Sequence, residues 1–273
     1  MSFKFRFISS IISDLRSQYR CPPKSATAKI MTKIWSKESF PVVEAVVEKL
    51  HVKPDDRILE IGYGRGDGLK LVHEKVKDGT GCIFGLEASE YMYELACKRF
   101  ITEIQDENNI LLDLVSNTAH LPYPNDTFDG VFHVDVFYFW DAEEIPLITK
   151  ELFRIIKPDG KLVCGLEMKK LKLLEKRKIL RAEEYDPMRY AEHLEPAGFA
   201  DISIDYEKIS SSREAMIITA RRPHLSEEDL DPEIKMKKLE NQIKKELALA
   251  SLISSQKPMP EKLKAKLDDS QGI

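Results

Sequence analysis

A doubly wound α/β fold is what this sequence predicts, on three observations. Short apolar, β-branched runs alternate with segments of helical period five times between Arg57 and Leu166, and strand–helix alternation with short connections gives a parallel sheet covered on both faces. The first run passes through ILEIGYGRGDGL, Ile58 to Leu69, where Gly62, Gly64 and Gly66 make a dense turn ahead of an amphipathic helix. Such a turn bears no Cβ penalty and brings backbone and helix N–H groups close to a ligand. Two further strand-like runs, Ile202–Tyr206 and Ala215–Ala220, follow with no helix between them, which adds an antiparallel hairpin at the sheet edge. Right-handed crossovers then put the C-terminal ends of the parallel strands on one edge, where ligands bind.

The elements follow in order. Phe3–Leu15 is apolar with basic interruptions, and Cys21-Pro22-Pro23 breaks any helix there. Ala26–Trp35 reads as a short helix with Ile30, Met31 and Ile34 on one face, and Pro41 opens a second with Val42, Val43, Val46, Val47 and Leu50 as its buried stripe. Strands are expected at Arg57–Ile61, Cys82–Leu86, Ile110–Val115, Phe128–Asp135 and Lys161–Leu166. Ser89 caps a helix running to about Ile104; further helices cover Glu143–Ile156 and Pro187–Ala197. Past Arg222, Leu239, Ile243 and Leu247 at helical spacing predict a charged helix, and Lys257–Ile273 a disordered tail. The units are therefore 1–40, a basic segment with a lid helix; 41–222, the α/β domain; and 223–273, a helical extension with a disordered end.

Composition excludes several classes. Net charge is −4 from 42 basic and 46 acidic residues, so there is no global footprint for nucleic acid. Cys21, Cys82, Cys97 and Cys164 are far apart and never form CxxC, which argues for reduced thiols and no structural metal. No apolar run reaches the ~18 residues of a membrane span. The expectation is a cytoplasmic protein. Residues 1–40 nevertheless carry eight basic side chains against Asp14 and Glu38, and acid-poor, Arg- and Ser-containing termini resemble mitochondrial presequences, the alternative localisation.

The glycine turn has three candidate ligands. A P-loop needs Gly-Lys-Ser/Thr, which is absent. A dinucleotide loop wants its third glycine at position 67, where Asp67 stands and would oppose a pyrophosphate. S-adenosylmethionine has no phosphate and brings an ammonium and a sulfonium, so acids such as Glu60 suit it. Glu87, ending the second strand 21 positions beyond Gly66, is close to the ~20-residue offset of a ribose-binding acid.

Over Ala26–Arg221 the chain resembles the class I S-adenosylmethionine-dependent methyltransferases, in particular the ubiquinone/menaquinone-type and type 11 group, through LEIGYGRGDG, LEASEYM, NTAHLPYPNDTFD and ELFRIIKPDGKLV. The resemblance implies a Rossmann-like seven-stranded sheet of order 3-2-1-4-5-7-6 with the last strand antiparallel. It also implies that Gly62, Tyr63, Gly64 and Gly66 pass the methionine part with Glu60 near its ammonium. Glu87 would then hold the ribose, Ala88 and Met92 would flank the adenine, Asn117 and Thr118 would lie at its edge, and His133 would line the cofactor. Asn117 replaces the family's usual Asp, and Asp159 stands in Lys157-Pro158-Asp159-Gly160 where glycine is more usual.

Methyl transfer from a sulfonium needs alignment and a dry pocket, and a general base only when the nucleophile carries a proton. His133, Asp135 and Tyr138, at the end of the fourth strand, are the candidate catalytic groups; alternation puts His133 and Asp135 on one side. His133 reads equally as a packed histidine and Asp135 as a cap. Phe137–Trp140 is core or the wall of an apolar substrate pocket. Lys169–Arg181 holds seven basic residues and Glu175, by default a solvated helix, otherwise a weak contact with an anionic substrate or membrane surface. The leading function is methylation of a small, apolar or aromatic molecule. The alternatives are a cofactor-binding module that pairs with itself or a partner through the C-terminal helix, and protein or RNA methylation.

Overall fold

In the computed structural model, residues 16–224 and 232–255 are described. Residues 1–15 of the presequence-like segment 1–40, and all of the tail expected to be disordered, Lys257–Ile273, lie outside the described residues. The strands are β1 (Arg57–Ile61), β2 (Cys82–Glu87), β3 (Ile110–Leu114), β4 (Phe128–Val134), β5 (Ile156–Leu166), β6 (Ala200–Lys208) and β7 (Glu214–Arg221). They form one sheet in the order β3-β2-β1-β4-β5-β7-β6. β1 to β5 pair in parallel, and β7 lies antiparallel to both β5 and β6. The expected sheet, its order and its antiparallel ending are all present.

The helices are α1 (Ala26–Leu50), α2 (Asp67–Val76), α3 (Glu90–Arg99), α4 (Ile101–Gln105), α5 (Ile145–Ile155), α6 (Met168–Lys176), α7 (Met188–Ala191), α8 (Leu194–Ala197) and α9 (Pro232–Ser255). Strand alternation sends Ile58, Ile83, Phe132 and Val163 to the face covered by α1, α2 and α3. Leu59, Phe84, Val131 and Leu162 go to the face covered by α5, α6 and α8. Leu249 of α9 joins this second core, and Arg57–Glu246 (3.2 Å) and Lys245–Asp126 ion pairs hold that helix near the N-terminal ends of β1 and β4. Among the described residues no helix is long and apolar enough to cross a membrane, and no group of three or more metal-ligating side chains occurs.

Four local expectations are corrected. α1 is one helix with Pro41 inside it, not two. Its second half packs Val42, Val43, Val46, Val47 and Leu50 on the sheet, and that burial outweighs the hydrogen bond a proline forfeits. In its first half the buried face is Ala28 and Thr32, while Ile30 and Ile34 are exposed, at 62% and 45%. The helix after Ser89 breaks at Phe100, which is buried against Gly66, and Pro187–Ala197 is two single turns. Pro158-Asp159-Gly160 is a bulge inside β5: Asp159 adopts φ 64°, the register shifts, and its N–H goes to Arg222 O at 2.9 Å.

Candidate active site

A cavity of about 270 Å³ opens at the C-terminal ends of β1, β2 and β4. Its floor is the β1–α2 loop. Gly62 and Gly64 have φ of 72° and 53°, a region that β-carbon-bearing residues enter at a cost. A Cβ on Gly62 would also meet Val136 at 2.6 Å. Gly68, one turn on, lies against the Glu60 carboxylate so closely that a Cβ would sit 2.3 Å from its oxygen; the sequence reading missed this position, although DGL at the helix start was in view.

Four carboxylates line the cavity, Glu60, Asp67, Glu87 and Asp135. Glu87 Oε2 accepts from Gly64 N at 2.9 Å, and its Oε1 accepts from Ala88 N and Ser89 N, each at 2.9 Å. Burial pushes its carboxyl above the ordinary range, against the pull of those N–H groups. Glu60 is 4% exposed and its Oε2 has no hydrogen-bond partner among the described residues. Burial first, then the charges of Asp67 and Glu87, hold its carboxyl well above the usual range. The carboxyl takes a backbone hydrogen bond from Leu69, but a buried carboxyl oxygen without a partner carries an energetic penalty that a cation would relieve. Asp67 itself is paired, with Arg99 at 2.7 Å and with Ser36.

The roof comes from the N-terminal segment. Residues 16–20 form a helical turn, and Ser89 Oγ donates to Pro22 O at 2.6 Å. Lys24 reaches Glu94 at 2.5 Å, and Arg16 pairs with Glu184. Tyr19 packs edge-on against Trp35 (4.7 Å) and Phe139 (5.5 Å), and with Trp140 these rings wall the far end. Arg65, between two of the glycines, lines the cavity and donates to Thr32 Oγ1 at 3.3 Å.

At that far end stands a second charged cluster. Asp135 follows β4 in the left-handed region, φ 60°, with its N–H on Gly165 O at 3.1 Å. Lys170 Nζ lies 2.5 Å from Asp135 Oδ2 and 2.8 Å from Ser39 Oγ, and Ser39 Oγ donates to the same Oδ2 at 2.7 Å. Burial alone would lower the Lys170 ammonium, but Asp135 and Tyr19 beside it hold it above the ordinary lysine range.

Most of the expected residues meet here: Glu60, Gly62, Tyr63, Gly64, Glu87, Ala88, Met92, Thr118 and Asp135 line the cavity. Four do not. Gly66 packs its Cα against Phe100. Asn117 is exposed, and its side-chain oxygen accepts from Ala119 N at 2.9 Å, so it shapes its own turn. His133 is fully buried in the second core, 3.1 Å from Tyr190 Oη and edge-on to Trp140. Burial brings its pKa down to about 3, so it stays neutral and accepts no proton at working pH. The left-handed turn at Asp135 ends the alternation that would have put the two on one side. Tyr138 is 2% exposed with its hydroxyl 3.4 Å from that of Tyr19, behind the wall. Lys170 corrects the expectation of a solvated basic helix: one of the seven cations, it turns inward, its side chain 11% exposed. Tyr19, Trp35 and Ser39 are not among the expected residues, and Lys170 was expected only as part of the basic stretch Lys169–Arg181; the small and polar Ala28, Thr32, Ser36 and Ser39 at helical spacing are the available signal for the inner face of α1.

Residues 59–164 match the family described as "Methyltransferase domain". Over those residues the chain is similar to a methyltransferase domain. The demethylmenaquinone methyltransferase of Symbiobacterium thermophilum is 33% identical over 118 residues, 43% of this chain and 45% of that protein. The chain thus spans about half the length of the curated relatives it matches first. A Haloferax volcanii protein solved in complex with the Trm112 methyltransferase activator is 19% identical with a TM-score of 0.57, covering 72% of this chain and 96% of that one. The geranyl diphosphate C-methyltransferase of Streptomyces coelicolor A3(2), solved with Mg2+, geranyl diphosphate and S-adenosyl-L-homocysteine, is 12% identical with a TM-score of 0.52, covering 66% and 76%. The matched residues therefore include the glycine loop, Glu60, Glu87 and Asp135, whereas Tyr19, Ser39 and Lys170 fall outside them.

Proposed function

We propose that this protein is an S-adenosylmethionine-dependent methyltransferase whose acceptor is a small, apolar or aromatic molecule. The observation that carries the reading is a cavity with a buried acid, Glu60, whose Oε2 is unpartnered, at the β1 end and an aromatic wall at the β4 end. Glu60 meets the ammonium of the cofactor, and Glu87, with three of its roughly four acceptor positions taken by backbone N–H groups, keeps one on Oε2 for a ribose hydroxyl. Met92 and Ala88 offer an apolar wall to the adenine. Bound there, S-adenosylmethionine supplies an electrophilic methyl group. The lid, residues 19–39, excludes water, and Trp35, Phe139 and Trp140 hold a flat acceptor in place. Arg65 stands at the loop where the amino-acid carboxylate of the cofactor needs a cation.

A second reading, a partner-binding module, rests on α9, where Met236, Leu239, Ile243 and Leu247 are 57–68% exposed on the outer face. That helix lies at the strand ends opposite the cavity. Incubating the protein with tritium-labelled S-adenosylmethionine and fractionated cell extract separates the two. Label in the organic-extractable small-molecule fraction supports the enzyme. Label confined to protein or RNA replaces the acceptor class, and no label in any fraction leaves the module.

A further inference from the structure

Beyond the cofactor residues, the far end of the cavity holds a charge pattern that bears on which acceptor fits. Asp135 Oδ2 is saturated by two donors, Lys170 Nζ at 2.5 Å and Ser39 Oγ at 2.7 Å. Lys170 spends its other contacts on Ser39 Oγ and on the face of Tyr19, 5.8 Å from the ring centre. Asp135 Oδ1 is the exception. It is buried and has no hydrogen-bond partner within 3.5 Å among the described residues; the Tyr138 hydroxyl, 3.4 Å from that of Tyr19, also interacts with the Asp135 carboxylate, burial first and then the Asp135 charge raising the phenol. Leaving such an oxygen bare is unfavourable, and the residue holding it is in a left-handed conformation at the cavity wall. The open valence therefore takes a hydrogen-bond donor. The charge is already cancelled: one lysine faces one aspartate, both enclosed by aromatic rings. A cation entering here would meet Lys170, and an anion would meet Asp135.

We propose that this site selects methyl acceptors that are uncharged and donate a hydrogen bond, an alcohol or phenol hydroxyl received by Asp135 Oδ1, with Lys170 as the positioning residue that sets this specificity. Lys170 does so by neutralising Asp135 and fixing its carboxylate through Oδ2. The inference names the acceptor class for the methyl-transfer reading and rests on it.

The chain's two tryptophans, Trp35 and Trp140, both line this cavity, so their fluorescence reports occupancy without turnover. Phenethyl alcohol, phenethylamine and phenylacetate are near-isosteric probes, neutral, cationic and anionic at neutral pH. Calorimetry first establishes that the native protein binds S-adenosylhomocysteine; absence of binding would overturn the methyl-transfer reading itself. With that ligand saturating, the native protein should bind the alcohol at least about tenfold more tightly than either charged probe, the discrimination expected when a neutral buried pair excludes net charge. Lys170→Met leaves Asp135 uncompensated and should turn the preference to phenethylamine, while Lys170→Arg should retain the alcohol. Asp135→Asn carries the same test from the other side, turning the preference to phenylacetate, and it stands in if Lys170→Met does not fold. Bound S-adenosylhomocysteine with no preference among the probes in the native protein, or an unchanged preference in both charge variants, would overturn the proposal and leave the cofactor reading standing.

Discussion

At the β1–β2 end of the cavity a carboxylate is held by backbone, whereas at the β4–α6 end a carboxylate is held by side chains. Glu87 takes three N–H groups from residues within the two loops that follow β1 and β2. Asp135 takes a lysine from α6 and a serine from α1, 35 and 96 positions away in the chain. Backbone donors are fixed by loop conformation and cannot be exchanged by substitution, so that end suits a constant ligand. Side-chain donors can be changed one at a time, so that end suits a ligand on which related proteins differ. The lid crosses both, with Ser36 on Asp67 and Ser39 on Asp135.

The largest expected effect tests the backbone-held end. Glu87→Ala strips an acceptor from three N–H groups, and S-adenosylhomocysteine affinity should fall by about 100-fold or more, with about 2–4 kcal/mol lost from unfolding; calorimetry and urea titration read both. If affinity were unchanged, the ribose assignment would be wrong. Next in size is Glu60. Its carboxyl is held well above the usual range by burial first and then by Asp67 and Glu87, and an ammonium beside it would favour the charged form. Titrating S-adenosylhomocysteine in two neutral buffers of different ionisation enthalpy should reveal proton release in the native protein. Glu60→Gln should release none and bind about tenfold more weakly.

How much of each end could be read from sequence follows from the same contrast. The glycine loop, Glu60 and Glu87 sit within thirty residues, each at a strand end that apolar alternation marks, so local pattern was enough to bring them together. The far end is assembled from Tyr19, Trp35, Ser39, Asp135 and Lys170, and no spacing rule links them. Lys170 was one basic residue among seven, and only its burial beside Leu171 and Leu174 on α6 singles it out. His133 failed for a different reason. Strand alternation gives a face, and that face proved to be core because Tyr190, Trp140 and Phe137 fill it. Pro41 misled because packing of the valine stripe overrode the local breaker.

Two smaller effects sharpen the boundary between site and core. His133 has a pKa of about 3 against 6.5 for a free histidine. Between those values the unfolded chain takes up a proton that the folded chain refuses, so the stability this neutral histidine contributes at higher pH is lost as pH falls. His133→Phe should remove that sensitivity: relative to native, its unfolding free energy should gain about 1 kcal/mol for each unit the pH falls from 6 to 4. Parallel curves would mean that His133 is exposed to water. The smallest effect concerns Cys21, the one exposed thiol among four, at the lid over the cavity. Its modification by a thiol reagent should slow several-fold when S-adenosylhomocysteine is bound, while the three buried cysteines stay unreactive in both states.

The most direct measurement of all is calorimetric titration of the full chain with S-adenosylhomocysteine. The account predicts saturable binding of one molecule per chain, in the micromolar range, weakened by Glu87→Ala. No heat and no displacement of labelled S-adenosylmethionine at millimolar ligand would contradict it.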